Sequence, residues 1–268
     1  MSRRRWLIPL AALAIAIAPA LAATAASAST HPGGALAIQS GGIARHVIKP
    51  GTTALGAHSG LRDETSSTNW SGYAADSGTY TSVSASWVQP AGTCTSATRY
   101  SSFWVGLDGY SSDSVEQDGT DTDCVNGKPQ YYGWYETYPN PSYSFGSTVE
   151  PGDTMEASVV YEGSNQFKLT LADATRGWSS TTTQTVSGAA RSSAEVIIEA
   201  PCCTSSGGIL PLADFGTVHL SDSVVDGSPI GDLSPVQIYM TDSSGKTRDT
   251  VSSLSDEENF SATWVRAN

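Results

Sequence analysis

The chain has 268 residues, with 14 lysines and arginines against 26 aspartates and glutamates. Past residue 65 the balance is 8 basic to 24 acidic side chains, a net charge near −16, which repels nucleic acid and anionic membranes. It also suits a protein meant for acid, where protonation relieves self-repulsion, although solubility alone explains it equally well.

The chain opens with Arg3-Arg4-Arg5, an apolar run from Trp6 to Ala23, and the cleavage signal Ala26-Ser27-Ala28. Residues 1–28 therefore read as a secretory signal peptide, and the protein as secreted and extracellular. No later run is apolar enough to span a membrane. Residues 29–65 are rich in Gly, Ala and Ser and poor in aromatics. They read as a pro-segment or flexible N-terminal region. Arg45, His46 and Lys49 there would suit an acidic groove as an inhibitor; a passive spacer fits the composition equally.

From Asn69 the texture becomes aromatic and β-prone, and 66–268 reads as one domain. Strands are expected over 69–75, 79–88, 100–108, 114–121, 130–138, 154–161, 167–171, 181–186, 194–200, 216–221, 235–240 and 261–265. Glu162-Gly163-Ser164-Asn165 is a hairpin turn. After it Phe167, Leu169 and Leu171 alternate with Lys168 and Thr170, so one face is wet. No amphipathic helix follows the signal. Many short strands between Gly, Pro, Ser, Asn and Asp turns predict an all-β protein, an antiparallel β-sandwich of the jelly-roll or concanavalin-like kind.

Four cysteines in an exported chain imply disulfides. Cys94–Cys124 with a vicinal Cys202–Cys203 is the adopted pairing of three possible. Without nearby histidines they do not suggest a zinc site.

Elimination narrows the chemistry. The one histidine after residue 65 is His219, read as structural in the strand Thr217-Val218-His219-Leu220. There is no Gly-x-Ser-x-Gly elbow, no His-Glu-x-x-His, no phosphate-binding loop and no Gly-x-Gly-x-x-Gly. Carboxylates, amides and tyrosines remain. Strand parity groups them: Trp104, Gly106 and Asp108 share a face, as do Gln117, Gly119 and Asp121, and Tyr132, Trp134, Glu136 and Tyr138. Carboxylates among aromatic rings make the wall of a groove.

The stretch Glu195-Val196-Ile197-Ile198-Glu199 carries two carboxylates inside an apolar strand. Four residues of strand hold them roughly 13 Å apart. An inverting glycosidase needs its carboxyls about 6.5–9.5 Å apart. Glu199 therefore needs a partner from another strand, and Glu195 reads as structural, holding Arg191 or a groove edge.

Five blocks occur in order: Asn69-Trp70-Ser71-Gly72, Trp104-Val105-Gly106-Leu107-Asp108-Gly109, Gln117-x-Gly119, Trp134-Tyr135-Glu136-x-Tyr138-Pro139, and Arg191-x-x-Ala194-Glu195-x-Ile197-Ile198-Glu199. In them the chain resembles the glutamic peptidases, or eqolisins, as a bacterial secreted member. The resemblance covers most of 69–201. It implies a sandwich of two antiparallel seven-stranded sheets and an acid-active endopeptidase. It also implies a catalytic dyad on Gln117 and Glu199, with Trp104, Asp108, Trp134, Glu136 and Tyr138 around it as substrate-binding positions. Protein or peptide substrates, a monomer, and neither metal nor cofactor complete the expectation. Glu116 and Asp118 make the Gln117 stretch more acidic than in fungal members, which would bear on substrate preference. The alternatives are a jelly-roll polysaccharide hydrolase using Glu136 and Glu199, and a non-catalytic carbohydrate-binding module.

Overall fold

A computed structural model describes residues 64–202 and 208–268. The predicted signal peptide, nearly all of the predicted pro-segment and Cys203 lie outside the described residues. The strands are β1 (Glu64–Ser67), β2 (Trp70–Ala75), β3 (Ser82–Val88), β4 (Ser102–Leu107), β5 (Val115–Val125) and β6 (Lys128–Tyr138). They continue with β7 (Tyr143–Ser144), β8 (Thr154–Gly163), β9 (Gln166–Asp173), β10 (Trp178–Thr185) and β11 (Ala194–Glu199). The last are β12 (Thr217–Val225), β13 (Ser228–Pro229), β14 (Val236–Met240), β15 (Asp249–Val251) and β16 (Phe260–Trp264). A 3-10 turn spans Ile230–Leu233. β1 begins two residues before the expected domain boundary at 66.

Two sheets result, and the all-β sandwich expectation holds. One runs β1-β14-β2-β11-β4-β5-β6-β7; the other runs β10-β9-β8-β3-β12-β16-β15, with β13 paired to β12. Each has eight strands rather than the seven implied by resemblance. The extra pairings come from short edge strands such as β7 and β13, which the sequence hides because two residues show no period. Among the described strands the pairings are antiparallel except β1 with β14; the isolated bridge between Tyr100 and Leu212 is also parallel. The hairpin between β8 and β9 turns through Ser164 and Asn165, both at positive φ, as the turn chemistry predicted.

The inter-sheet core follows from alternation. Val105, Leu107, Val196 and Ile198 of the first sheet meet Trp87, Val159, Leu169 and Leu171 of the second. Between the core residues of β9, Lys168 and Thr170 face outward. The first sheet is unusual in that β2, β4 and β11 are buried on both faces. Its other face carries a second cluster of Trp70, Trp104, Trp134, Ile197 and Ile238. Strands buried on both sides lose their alternation, which is why Val196-Ile197-Ile198 reads as a continuous apolar run.

Cys94 and Cys124 form the expected disulfide. Cys202 is disulfide-bonded and buried, and its expected partner lies outside the described residues.

The pleat corrects one expectation. Glu116 stands opposite Leu107 and Thr137, and Asp118 opposite Val105 and Tyr135. Leu107, Val105 and Tyr135 belong to the inter-sheet core. Both carboxyls therefore point between the sheets and not into the face that carries Gln117.

Burial raises the Glu116 carboxyl to about 8, with the charge of Asp108 adding to it. Burial also pushes Asp118 and Glu195 well above the carboxylate range, and Asp249 to about 7. Such groups bind protons more tightly folded than unfolded. Their contribution is whole below the ordinary values of 4.5 and 3.8, and is lost as pH rises toward the folded values. Asp153 and Asp226 run the other way. Against their burial, hydrogen bonds from Arg176 and from Thr81 and Ser82 hold them low, so their contribution is lost as pH falls below 3.8. Unfolding monitored from pH 3 to 9 should therefore show greatest stability near pH 4. It should show a loss on the order of several kcal/mol by pH 8, and Asp118→Asn should flatten that slope.

Candidate active site

The outer face of the first sheet is a patch whose rows run across β11, β4, β5 and β6. One row reads Glu195, Gly106, Gln117, Glu136; the next reads Ile197, Trp104, Gly119, Trp134; the third reads Glu199, Ser102, Asp121, Tyr132. Trp104 sits at the centre of the β11–β4–β5 square. Glu199 and Gln117 hold opposite corners of it.

Small residues surround that centre, and they let the long side chains lean over it. A Cβ at Gly119 would run into the Phe103 carbonyl oxygen and lie 2.6 Å from Trp104 Cβ. One at Gly106 would lie 2.9 Å from Trp104 Cζ3 and 3.2 Å from Gln117 Cβ. Ser102 fills a third side. Gly106 therefore marks where the indole lies down on the sheet, and Gly119 where the β4 backbone at Phe103 and Trp104 comes close, approaches that no larger residue permits.

Hydrogen bonds then fix the polar groups. Trp104 Nε1 donates to Glu199 Oε2 at 2.9 Å, and Asn69 Nδ2 donates to Glu199 Oε1 at 3.2 Å. Gln117 Nε2 donates to Glu136 Oε2 at 2.9 Å. Trp134 Nε1 donates to Asp121 Oδ1 at 2.6 Å. The Tyr132 hydroxyl lies 2.7 Å from Asp121 Oδ2 and 2.7 Å from Asp123 Oδ2. Burial, and then the charges of Asp121 and Asp123, push the Tyr132 phenol far above its usual range, so it keeps its proton. Glu199, Gln117, Glu136, Asp121, Trp104 and Trp134 are all fully buried.

The remaining expected residues divide. Tyr138 stands opposite Val115 and packs half-buried against the outer cluster. Asp108 has positive φ and turns back onto its own chain. Its carboxyl accepts the N–H of Arg191 at 2.6 Å and of Ser192 at 2.9 Å, and the hydroxyls of Ser112 and Ser192 at 3.1 Å each. It fixes the chain entering β11, and so the register of Glu195 and Glu199. Glu195 does not hold Arg191. It accepts the Tyr110 N–H at 3.4 Å, while the Arg191 guanidinium lies over the Tyr161 ring, 4.0 Å from its centroid. Side chains of a tight turn need not share the direction their spacing suggests.

His219 is exposed on β12 of the second sheet, opposite Ser261, and takes no part in this patch. Among the described residues no group of three His, Cys, Asp or Glu side chains could hold a metal ion.

Parity alone could have enlisted Asp121 and Tyr132, which share faces with Gln117 and Glu136. Asn69 had no such signal, since it reaches Glu199 across 130 residues of sequence. The assembled face presents a carboxylate and a carboxamide around one indole. Such a pair can take a proton from water and donate to a developing oxyanion. Gly119→Ala should lower the unfolding midpoint markedly and displace Trp104, read as a change in tryptophan emission; an unchanged spectrum would separate the indole from this glycine.

A sequence profile of the Peptidase A4 family matches residues 68–264. The fold is similar to that of scytalido-glutamic peptidase, solved with a transition state analog inhibitor. That likeness has 26% identity and a TM-score of 0.65 over 74% of this chain and 98% of that one. Aspergilloglutamic peptidase from Aspergillus niger is similar at 25% identity and a TM-score of 0.55, over 62% of this chain and 99% of that one. SCP-B, an eqolisin solved with a tripeptide, shares the fold at 23% identity and a TM-score of 0.61, over 74% of this chain and 98% of that one. No curated protein sequence matches the chain.

Proposed function

The chain belongs to the Peptidase A4 family of glutamic peptidases, which hydrolyse peptide bonds, and on that premise we propose that it is a secreted, acid-active endopeptidase working through Glu199 and Gln117. The supporting observation is that both side chains lie buried on one face of the first sheet, on either side of Trp104, whose indole N–H donates to Glu199. Glu199, as carboxylate, takes a proton from the water that attacks the scissile carbonyl. Gln117 donates its amide N–H to the oxygen as negative charge forms there, a role worth about 2.7–4 kcal/mol in comparable sites. The Glu199 carboxyl then returns its proton to the leaving nitrogen, which completes the cycle without a covalent intermediate.

The neighbours fit these roles. Trp104 and Asn69 donate one N–H to each oxygen of Glu199, which suits an acceptor-only carboxylate. Glu136 accepts from Gln117 Nε2 and so orients the amide. That contact also weighs against a sugar hydrolase built on Glu136 and Glu199, because Glu136 is engaged on the Gln117 side of the patch. Trp134, Tyr138 and Tyr132 supply an aromatic wall for an extended peptide. Substrates are proteins or peptides. The working enzyme is a monomer released outside the cell after removal of 1–28 and the segment that follows.

Purified enzyme should digest casein at about pH 3–5, the range in which a glutamate carboxyl titrates, and leave mixed polysaccharides intact. Glu199→Gln should abolish cleavage with the fold unchanged, and Gln117→Ala should cost at least about a hundredfold in kcat. Wild-type turnover in either variant would refute the dyad.

A further inference from the structure

Arg248 and Asp249 play no part in the chemistry above; Asp249 belongs to the opposite sheet, and Arg248 lies on the segment that crosses to it from β14. Asp249 opens β15, Arg248 precedes it, and both are buried. Arg248 Nη1 donates to the Thr68 carbonyl at 3.1 Å. Its Nη2 donates to the carbonyls of Leu210, at 3.0 Å, and Ala267. The Ser71 hydroxyl donates to Asp249 Oδ2. Two consecutive residues thus grip the start of β2 at Thr68 and at Ser71, on either side of Asn69 and Trp70.

Those two residues reach the centre of the site. Asn69 donates to Glu199 Oε1. The Trp70 ring meets Trp104 edge-on, with centroids 4.7 Å apart at 77°. Trp104 holds the other oxygen of Glu199. The chain leaving Glu199 is tied to the same clamp, because the Ala200 N–H donates to the Asn69 carbonyl and the Leu210 N–H to the Pro201 carbonyl. One guanidinium therefore fixes both segments that flank the Glu199 carboxyl.

Arginine suits this task. Its planar fork offers several donors in fixed directions, so it can serve carbonyls of three separate segments, whereas lysine is a point donor on a flexible stem. Burial lowers the guanidinium to about 10, which leaves it charged wherever carboxylates titrate.

We propose that Arg248, with Asp249 and Ser71, is a positioning element for catalysis: from the segment that joins the two sheets it fixes residues 67–71 so that Asn69 and Trp70 hold the Glu199 carboxylate in its working orientation. The rate measurements below rest on the peptidase reading; the spectroscopic one does not.

A double-mutant cycle tests it, using purified wild type, Arg248→Lys, Asn69→Ala and the double variant, each checked for a cooperative melt. Arg248→Lys and Asn69→Ala should each lower kcat about tenfold, the scale of one hydrogen bond to a charged group, with KM within about twofold. Both should move the acid limb of the kcat–pH profile upward, because a carboxylate that loses an N–H donor ionises at higher pH. The double variant should lose clearly less than the product of the two single losses, because part of what Arg248 does passes through Asn69 and the rest through Trp70. Additive losses, or an unmoved acid limb, would show that Arg248 serves the fold only and overturn the proposal. If Arg248→Lys does not fold, Ser71→Ala replaces it in the same cycle with the same criterion. Should the wild type fail to cleave any protein, the peptidase reading falls. The side-chain amide signals of Asn69 in nuclear magnetic resonance, assigned by their loss in Asn69→Ala, then decide the clamp alone. They shift in Arg248→Lys or Ser71→Ala if the clamp holds Asn69, and unchanged signals reject it.

Discussion

Strand β5 carries four carboxyl-bearing and amide-bearing residues from Glu116 to Asp121, and the pleat divides them between two environments. Its register against β4 and β6 is continuous, with no bulge. Gln117 and Asp121 go outward; Glu116 and Asp118 go between the sheets. A slip of one residue would reverse the assignment and place two carboxyls in the groove and the amide in the core. The glycines resist that slip. Gly119 must stand opposite Trp104, because any Cβ there meets the Phe103 carbonyl. Close approach of β4 to Gly119 thus fixes the register, and the register fixes the chemistry of each face.

A sheet buried on both faces must provide hydrogen-bond partners for its polar groups from within the protein. The outer face does this with indole and amide N–H groups. Both oxygens of Glu199 and both of Asp121 accept from neighbouring side chains. The inner face does it less completely, and its carboxyls answer to burial by holding protons. The ion pairs lie elsewhere: Arg176 pairs with exposed Glu150 and buried Asp153, and Arg266 with Asp242. An excess of acidic side chains outside and protonated carboxyls inside both favour low pH, for different reasons. The surface gains relief from self-repulsion; the interior gains neutral groups.

Much of this was legible in the chain. Period-two patterns located the long strands, including β9 and its wet face, and turn residues located the β8–β9 hairpin. The ordered blocks from Asn69 to Glu199 pointed to the family that the profile match then showed. Edge strands of two or three residues were not legible, because a period needs more residues than they contain. The direction of loop side chains was not legible for a related reason. Asp108 follows the parity of β4 only to Leu107, after which a positive φ turns its carboxyl onto the backbone of Arg191 and Ser192.

By itself, then, the sequence determined the fold class, the composition of each strand face, and the family to which those faces belong. The first two depend on alternation and turn chemistry, which are local; the family rests on the resemblance of the ordered blocks from Asn69 to Glu199. Only the tertiary structure decided which face of β5 meets the core, which donors reach Glu199, and that Arg248, from the segment between β14 and β15, donates to the Thr68 carbonyl beside Asn69. Those depend on strand order and on contacts between residues far apart in the chain, and no local pattern encodes them.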